Sequence, residues 1–563
     1  MSTPEHVEAV VVGSGFGGSV SAYRLQQGGR RVLLLERGKA WAPGTFPRQP
    51  REIARNFWDP SKGLHGLFDI WSFSGIEALV SSCLGGGSII YANVLLRKDA
   101  EWFVHEDGEY WPVSRADLDP HYDQVERMIR PQRYPFEHQP YASTAKTNAM
   151  REAGQRLGAE WILPPLAVTF ANGEQPPVPG DPIDDEPNLH GVRRYTCRLL
   201  GECNIGCNLG SKNTLDLNYL SRFADLGGEI RTLCEVRDFA PRSEGGFEVR
   251  YVRHRPETEG RETDTRSLPV QTVTCDRLVL SAGSLGSTYL LLRSRDAFPG
   301  LSDRVGTHWC GNGDLLGFLT PKGRGGKFAT RRFDPAIGAV ITSALRYDGD
   351  NGRGYYIEDG GFPTFVSWLQ EMTDAHGELR RAARFAWRRL KDKISKSPVS
   401  NLSAELWNLF GDSVRSSSSL PLLGMGRDVP DGRLYLEDGY LQNSWTMKSS
   451  RGYYDAVKRS MEGIAEATAA KFVDEPLWYF KRVITVHPVG GLPMGRHAGE
   501  GVVDANCQVF GWPGLSVADG SVLPGPAGPN PSLTIAALAD RSADWMLEHW
   551  RPREESGPVS LTR

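Results

Sequence analysis

A histidine and an asparagine late in the chain are residue types from which an acid–base site is built. His487 stands in Val483–Gly495, VITVHPVGGLPMG, and Asn530 in Leu515–Ala536, LSVADGSVLPGPAGPNPSLTIA. His487 follows an apolar strand and precedes Pro and two Gly, so it sits at a turn, where side chains project into clefts. An imidazole titrating near neutral pH can take a proton from a hydroxyl group. The same position also suits a structural turn histidine. Asn530 can hold an oxygen through its amide, and Asn530-Pro531 equally makes the N-cap and first residue of a helix over Ser532–Ala539. Glu358, in YYIEDGGFP, is an acid among aromatics, surroundings that raise a carboxyl pKa and let it shuttle a proton. It also reads as an acid opening the turn at Gly360-Gly361, with Asp359 competing for the role.

Such residues act only where the fold holds them, and the chain supplies glycine turns for that purpose. Ala9–Gly38, AVVVGSGFGGSVSAYRLQQGGRRVLLLERG, reads as a strand (Ala9–Val12), a turn, a helix to Gln27 and a second strand (Val32–Leu35). Gly13, Gly15 and Gly18 form G-x-G-x-x-G at the helix start. Glycine there lets the backbone turn tightly against a pyrophosphate, and the helix N-terminus offers free N–H groups to its charge. Glu36 closes the second strand, where a carboxylate accepts hydrogen bonds from a ribose diol. A dinucleotide is the expected ligand. Cys83–Arg97, CLGGGSIIYANVLLR, sets three glycines, able to lie flat against a planar ligand, before apolar residues that read as a buried strand. Leu278–Leu292 and Leu515–Trp545 repeat strand, glycine turn and helix, so the nucleotide fold is discontinuous in sequence.

Composition narrows the rest. The 563 residues are 40% hydrophobic and 24% charged with a net charge of −3, which gives no reason to expect a nucleic-acid partner. No apolar run approaches the roughly 20 residues that span a bilayer. The first strand begins within ten residues of Met1, with no signal peptide in view, so the expected location is cytoplasmic. Eight scattered cysteines make no disulfide framework. Cys197, Cys203 and Cys207, in CRLLGECNIGCNLGSK, are one short of a structural zinc set; no metal is assigned, and an iron–sulfur cluster is the alternative.

Asp117–Met128 reads as a short helix, and residues 132–190, rich in Pro, Asn, Asp and Gly, as an excursion over the surface. Ala224–Val236 reads as helix end, turn and strand, Phe247–Val252 as an antiparallel strand, and the charged run Arg253–Arg266 as a hairpin tip. The expected division is a nucleotide domain over 1–110, 191–311 and 481–550, a surface excursion and part of the substrate side over 111–190, and a substrate-binding domain over 312–480. Within the last, Glu378–Lys396 places Leu379, Ala383, Ala386, Leu390 and Ile394 on one helical face and Arg/Lys on the other. It reads either as a core helix with a solvated basic side or as a helix resting peripherally on a membrane.

The glycines with Glu36, the triple-glycine segment, VLSAGSLGST, HPVGG and ADGSVLPGPAGPNPSLTIAALA together resemble the glucose–methanol–choline (GMC) family of flavin oxidoreductases over most of the chain. CEV at 234–236, AGSLGSTYLLLRSRD and VGTHWCGNGD are similar to the bacterial FAD-dependent cholesterol oxidases of that family. The resemblance implies an α/β fold in which a discontinuous Rossmann-like FAD-binding domain joins an α+β substrate-binding domain built on an antiparallel sheet. It implies that Gly13, Gly15, Phe16, Gly18 and Glu36 bind FAD and that Gly87, Tyr91 and Val94 line the flavin. Val236 would hold the adenine through its backbone, and Asp519 and Gly520 would meet the ribitol and pyrophosphate. Pro531 would start a helix whose positive end faces the flavin. His487 would be the acid/base and Asn530 would position the hydroxyl while hydride leaves carbon for the flavin. Glu358 stands where the steroid enzymes place a carboxylate that isomerises the ketone product. Tyr91 departs from the Asn those enzymes carry, which bears on oxygen access. The activity implied is oxidation of an apolar alcohol, a 3-hydroxysteroid such as cholesterol, with O2 or another electron acceptor. Alternatives are oxidation of a sugar, long-chain or small alcohol, a lyase on the same flavin scaffold, and a flavin-binding protein without turnover.

Overall fold

Unbroken valine and leucine runs belong in a sheet covered on both faces, and Glu5–Val12 and Val32–Leu35 lie side by side inside a seven-stranded sheet. The computed structural model that shows this describes residues 4–48, 55–104, 109–321, 332–362 and 419–550; the basic segment Glu378–Lys396 lies outside them. The sheet order is Glu229–Arg231, Val32–Leu35, Glu5–Val12, Val270–Leu280, Phe247–Arg253, Cys234–Pro241. The first four strands run parallel, and the last two form an antiparallel hairpin. Val270–Leu280 is long enough to serve twice: its first half pairs with the hairpin and its end pairs in parallel with Leu515–Val517. The turns after Val12, Leu280 and Val517 therefore meet at the carboxyl end of the parallel strands, where open α/β sheets bind ligands. This is the discontinuous Rossmann-like fold expected from the three strand–turn–helix segments.

The meeting is tight. A Cβ on Gly17 would stand 1.4 Å from the Ala518 carbonyl oxygen, and one on Gly13, whose φ is +97°, would stand 2.3 Å from the Ser281 oxygen. Helix Phe16–Gln27 can start where it does only because the first turn presents bare backbone to the other two.

A second sheet is antiparallel throughout, in the order Ala470–Asp474, Leu315–Pro321, Leu420–Gly426, Tyr355–Asp359, Ala344–Tyr347, Glu160–Ile162. Helix Arg451–Ala467, whose Tyr454, Val457, Met461 and Ile464 recur at helical spacing and are buried, packs against this sheet together with Ala145–Leu157. Tyr355 faces that helix, its hydroxyl 2.9 Å from Ser460 Oγ. Side chains alternate along a strand, so Glu358 projects to the opposite face. A third, small sheet pairs Val483–Thr485 with Ile76–Ser81 in parallel and carries the chain up to His487.

Two local expectations change. The apolar residues after the triple glycine do not form a strand. Gly85 and Gly86, at φ +92° and +52°, wind the chain into the 3-10 turn Gly86–Ile89, and only an isolated bridge, Val94 to Leu166, follows. The stretch 132–190 contributes more than surface: it holds helix Ala145–Leu157, strand Glu160–Ile162 and the buried aromatic group Tyr134, Tyr141 and Phe170.

Gly17→Ala should lower the melting temperature by several degrees, since overpacking of this kind costs about 1–3 kcal/mol or more. Gly452→Ala is the control, because a Cβ there meets nothing within 4 Å. Equal melting curves for the two variants would contradict the packing described.

Candidate active site

The first glycine turn and Glu36 are knitted together before any ligand is considered. Glu36 is buried, and its Oε2 accepts from Ser14 N at 3.0 Å and Ser14 Oγ at 2.6 Å, while Oε1 accepts from Gly38 N at 2.7 Å. Ser14 Oγ in turn accepts from Gly85 N at 3.1 Å, and a Cβ on Gly86 would lie 2.6 Å from Gly15 Cα. The triple-glycine segment thus lies directly on the G-x-G-x-x-G turn. The Tyr91 ring packs 5.4 Å from that of Phe16, and its buried hydroxyl has no partner among the described residues. Cys234 N donates to Glu36 O at 2.8 Å, which brings the strand of Val236 to the same end of the sheet; its register shifts between Val236 and Asp238. Asp519 accepts from Gly283 N at 3.0 Å and Ser521 N at 2.9 Å, tying the second turn to the third. Ser532 Oγ, at the start of the last helix, donates to Val94 O at 3.4 Å.

These residues fit a dinucleotide. Cβ atoms placed on Gly15 or Gly87 meet nothing within 4 Å, so both glycines front open space. The N–H groups that open helix Phe16–Gln27 precede its first hydrogen bond, Ser19 N to Gly15 O, and are donors of the kind a phosphate takes.

His487, Asn530 and Glu358 come from three separate segments, and the turn Gly311–Asp314 brings them to one place. Asp314 is 1% exposed and lies 2.8 Å from His487 Nδ1 through Oδ1. Its Oδ2 accepts from Val486 N at 2.8 Å, His487 N at 3.2 Å and Thr485 Oγ1 at 3.0 Å. Asn312, fully buried at φ +53°, holds the other loop: its Oδ1 accepts from Gly528 N at 3.1 Å and its Nδ2 donates to Pro529 O at 3.1 Å. Lys98 Nζ holds the same loop, donating to Pro526 O at 3.0 Å and Ala527 O at 3.1 Å.

Asn530 is not the helix cap that its pairing with Pro531 predicts. Helix Ser532–Glu548 starts with Pro531 in the capping position and no side-chain cap bond. The Asn530 amide is therefore released from the helix; its Oδ1 is buried without a partner among the described residues, and the side chain lies against Glu358. Glu358 is fully buried, and neither of its oxygens completes a well-formed hydrogen bond. Burial, and to a lesser degree Asp359 and Asp314, pushes its carboxyl well above the usual range, with the Asn530 amide opposing. Asp359, the competing acid, is spent on structure, accepting from Thr342 N at 2.6 Å and Ser343 N at 3.0 Å.

Asp314, Asn312 and Lys98 hold the loops of the candidate site, and the sequence reading does not single them out. A signal existed for the first two: an N-G-D turn carries an acid and a left-handed Asn in four residues. Asp428 supports the turn, its Oδ2 accepting from Gly311 N at 3.2 Å, and burial pushes its carboxyl up to about 7. Cys197, Cys203 and Cys207 are free thiols, and Lys212 Nζ binds their loop to the triple-glycine segment, donating to Cys203 O, Ile89 O and Tyr91 O. Among the described residues, one group of metal-ligating side chains converges within 4.8 Å, His121 with Asp540 and Asp544, and the Arg24 guanidinium already bonds both aspartates.

The parallel sheet and the three glycine turns define a dinucleotide-binding fold. Residues 11–44 match the NAD(P)-binding Rossmann-like domain family, and residues 440–539 match the GMC oxidoreductase family. The chain is 29% identical to a cholesterol oxidase of Mycobacterium tuberculosis, over 95% of this chain and 90% of that protein. It is 25% identical to paromamine 6'-oxidase of Streptomyces fradiae, over 95% of this chain and 90% of that protein. A solved fungal aryl-alcohol oxidase shares the fold with a TM-score of 0.54 at 17% identity, covering 97% of this chain and all of that one. The chain is thus similar to the GMC oxidoreductases, and it is an FAD oxidoreductase acting on alcohols.

Asp428 has a consequence for stability. Its carboxyl rises from the ordinary 3.8 to about 7 on folding. Between those values the unfolded chain releases the proton while the folded chain keeps it, so stability falls as pH rises from about 4 to about 7. Asp428→Asn removes this contribution. Melting temperatures between pH 4 and 7 should fall more steeply for the wild type than for the variant; parallel curves would contradict the burial of an isolated acid.

Proposed function

We propose that the protein oxidises the hydroxyl of an apolar alcohol, a 3-hydroxysteroid such as cholesterol, and passes the electrons to O2 or another acceptor. The observation that carries this reading is one turn holding an imidazole, paired to a buried carboxylate, on one side and the loop of an unspent amide on the other. His487 takes the hydroxyl proton as the carbon–hydrogen bond breaks, and Asn530 holds the same oxygen through its amide. The chemistry that bound FAD supplies is acceptance of the hydride. Gly13, Gly15, Phe16, Gly18 and Glu36 hold it at the first turn, Gly87, Tyr91 and Val94 along the triple-glycine segment, and Val236, Asp519, Gly520 and Pro531 at the remaining strand ends. The positive end of helix Ser532–Glu548 begins beside Asn530 and favours negative charge there.

Two facts favour a sterol. The similarity to a cholesterol oxidase runs over 95% of the chain. Glu358, whose carboxyl burial pushes well above the usual range, is once ionised a stronger base than an exposed carboxylate, and so suits taking a proton from one carbon of a ketone product and returning it to another. A sugar-like alcohol is the second reading, favoured by the similarity to paromamine 6'-oxidase over the same span. The division proposed is an FAD domain over 1–110, 191–311 and 481–550 and a substrate domain over 312–480, with 111–190 contributing to the substrate side. It is supported by the membership of the two large sheets. A cytoplasmic location is proposed with it; no described helix is long and apolar enough to cross a membrane.

An anaerobic screen of steroids, long-chain alcohols and sugars should bleach the flavin fastest with the steroids; bleaching by sugars alone would overturn the sterol reading. His487→Gln should slow bleaching roughly a hundredfold or more with FAD content unchanged. Asn530→Asp sets a negative charge where negative charge must develop, so bleaching should slow and the flavin potential should fall. Glu358→Gln should leave oxidation intact and stop isomerisation of the steroid ketone. A wild-type rate in His487→Gln would end the mechanism proposed.

A further inference from the structure

Asp314 spends its two oxygens differently. Oδ2 accepts from the backbone N–H groups of Val486 and His487 at 2.8 and 3.2 Å, and the Thr485 hydroxyl has its one proton within reach of both Oδ2, at 3.0 Å, and Gly311 O, at 2.9 Å. His487 Nδ1 lies 2.8 Å from Oδ1 and 3.1 Å from Oδ2. A carboxylate offers only acceptors, so the proton of this last bond belongs to the imidazole. The His487 side chain keeps 14% of its surface exposed, and Asp314 engages Nδ1 alone.

We infer that Asp314 is a positioning residue that fixes neutral His487 as the Nδ1–H tautomer, leaving the Nε2 lone pair as the base that receives the alcohol proton. The assignment rests on the alcohol-oxidation reading of the site. In the step it serves, the O–H bond of the alcohol breaks and an N–H bond forms at Nε2. The carbon–hydrogen bond breaks at the same centre, and its electron pair leaves as hydride to FAD. The histidine becomes an imidazolium whose Nδ1–H still points at the Asp314 carboxylate, which stabilises the new charge.

The unequal use of the two oxygens makes a sharp substitution possible. In Asp314→Asn the two backbone donors at the Oδ2 position demand the single amide oxygen, so the NH2 group takes the Oδ1 position, the one nearer His487 Nδ1. Nδ1 then becomes an acceptor and the ring proton moves to Nε2. The variant keeps the shape and the backbone bonds of the turn yet removes the lone pair that accepts the substrate proton.

The test uses FAD-loaded protein with 15N-labelled histidine, His487 being assigned by the signal missing from His487→Gln. The wild type should show a proton on Nδ1 and none on Nε2, and Asp314→Asn the reverse. Anaerobic bleaching by alcohol should slow about 10²–10⁴-fold in Asp314→Asn, with FAD content and apparent alcohol affinity unchanged, the range for losing a positioned base. An Nε2–H wild type overturns the assignment, and so does an Asp314→Asn protein that bleaches at the wild-type rate. Should the variant fail to fold, the wild-type tautomer still decides. The tautomer is read without substrate, so failure of every alcohol to bleach the wild-type flavin overturns the proposed reaction alone.

Discussion

One buried turn, Gly311–Asp314, is the constraint on which the site depends. It has no exposed polar group to lose to water: Asn312 is fully buried and Asp314 is 1% exposed. Its side chains are satisfied only by the loops of His487 and Asn530, and its backbone by Asp428, Gly426 and the Tyr453 hydroxyl. Each buried polar group left unpaired costs about 1–3 kcal/mol. The turn therefore holds its shape only when both loops are seated, and the loops hold theirs only when the turn is formed. An acid–base group and a hydrogen-bonding amide from positions far apart in sequence reach one site by this mutual requirement.

Burial then sorts the acids around the turn. Glu358, Glu475 and Asp428 are removed from water with few donors, so burial pushes their carboxyls up toward the protonated form. Donors converge instead on Asp314, the acid that faces the histidine. Lys98 obeys the same rule from the cationic side; burial pulls its ammonium down to about 7 while it binds the Asn530 loop through two carbonyls. The result is a buried carboxylate, Asp314, paired to the His487 imidazole and supported by backbone donors.

What could be read beforehand follows from the range of the interactions. The strand Val32–Leu35, the helix ending at Gln27 and the sharing of the nucleotide fold among three segments depend on local periodicity and on glycine at fixed spacing, and all three stand as expected. His487, Asn530 and Glu358 were legible as chemical types. Their partner Asp314 was not, because the N-G-D turn announces an acid at a tight turn but not its partner, and the contact to His487 spans 173 positions. The errors are also local in origin. Apolar residues after three glycines suggest a strand, but two left-handed glycines wind a 3-10 turn that lays the segment on Gly15. Asn before Pro suggests a cap, but Pro531 takes the capping position and leaves the amide for the site.

The central claim is that this chain removes hydride from a carbinol carbon while His487 takes the hydroxyl proton. Anaerobic stopped-flow bleaching of the flavin by an alcohol deuterated at the carbinol carbon tests it most directly. A primary isotope effect on the bleaching rate, lost with deuterium placed elsewhere in the molecule, is the result predicted. Bleaching that is indifferent to that deuterium, or a flavin that no alcohol bleaches, would contradict it.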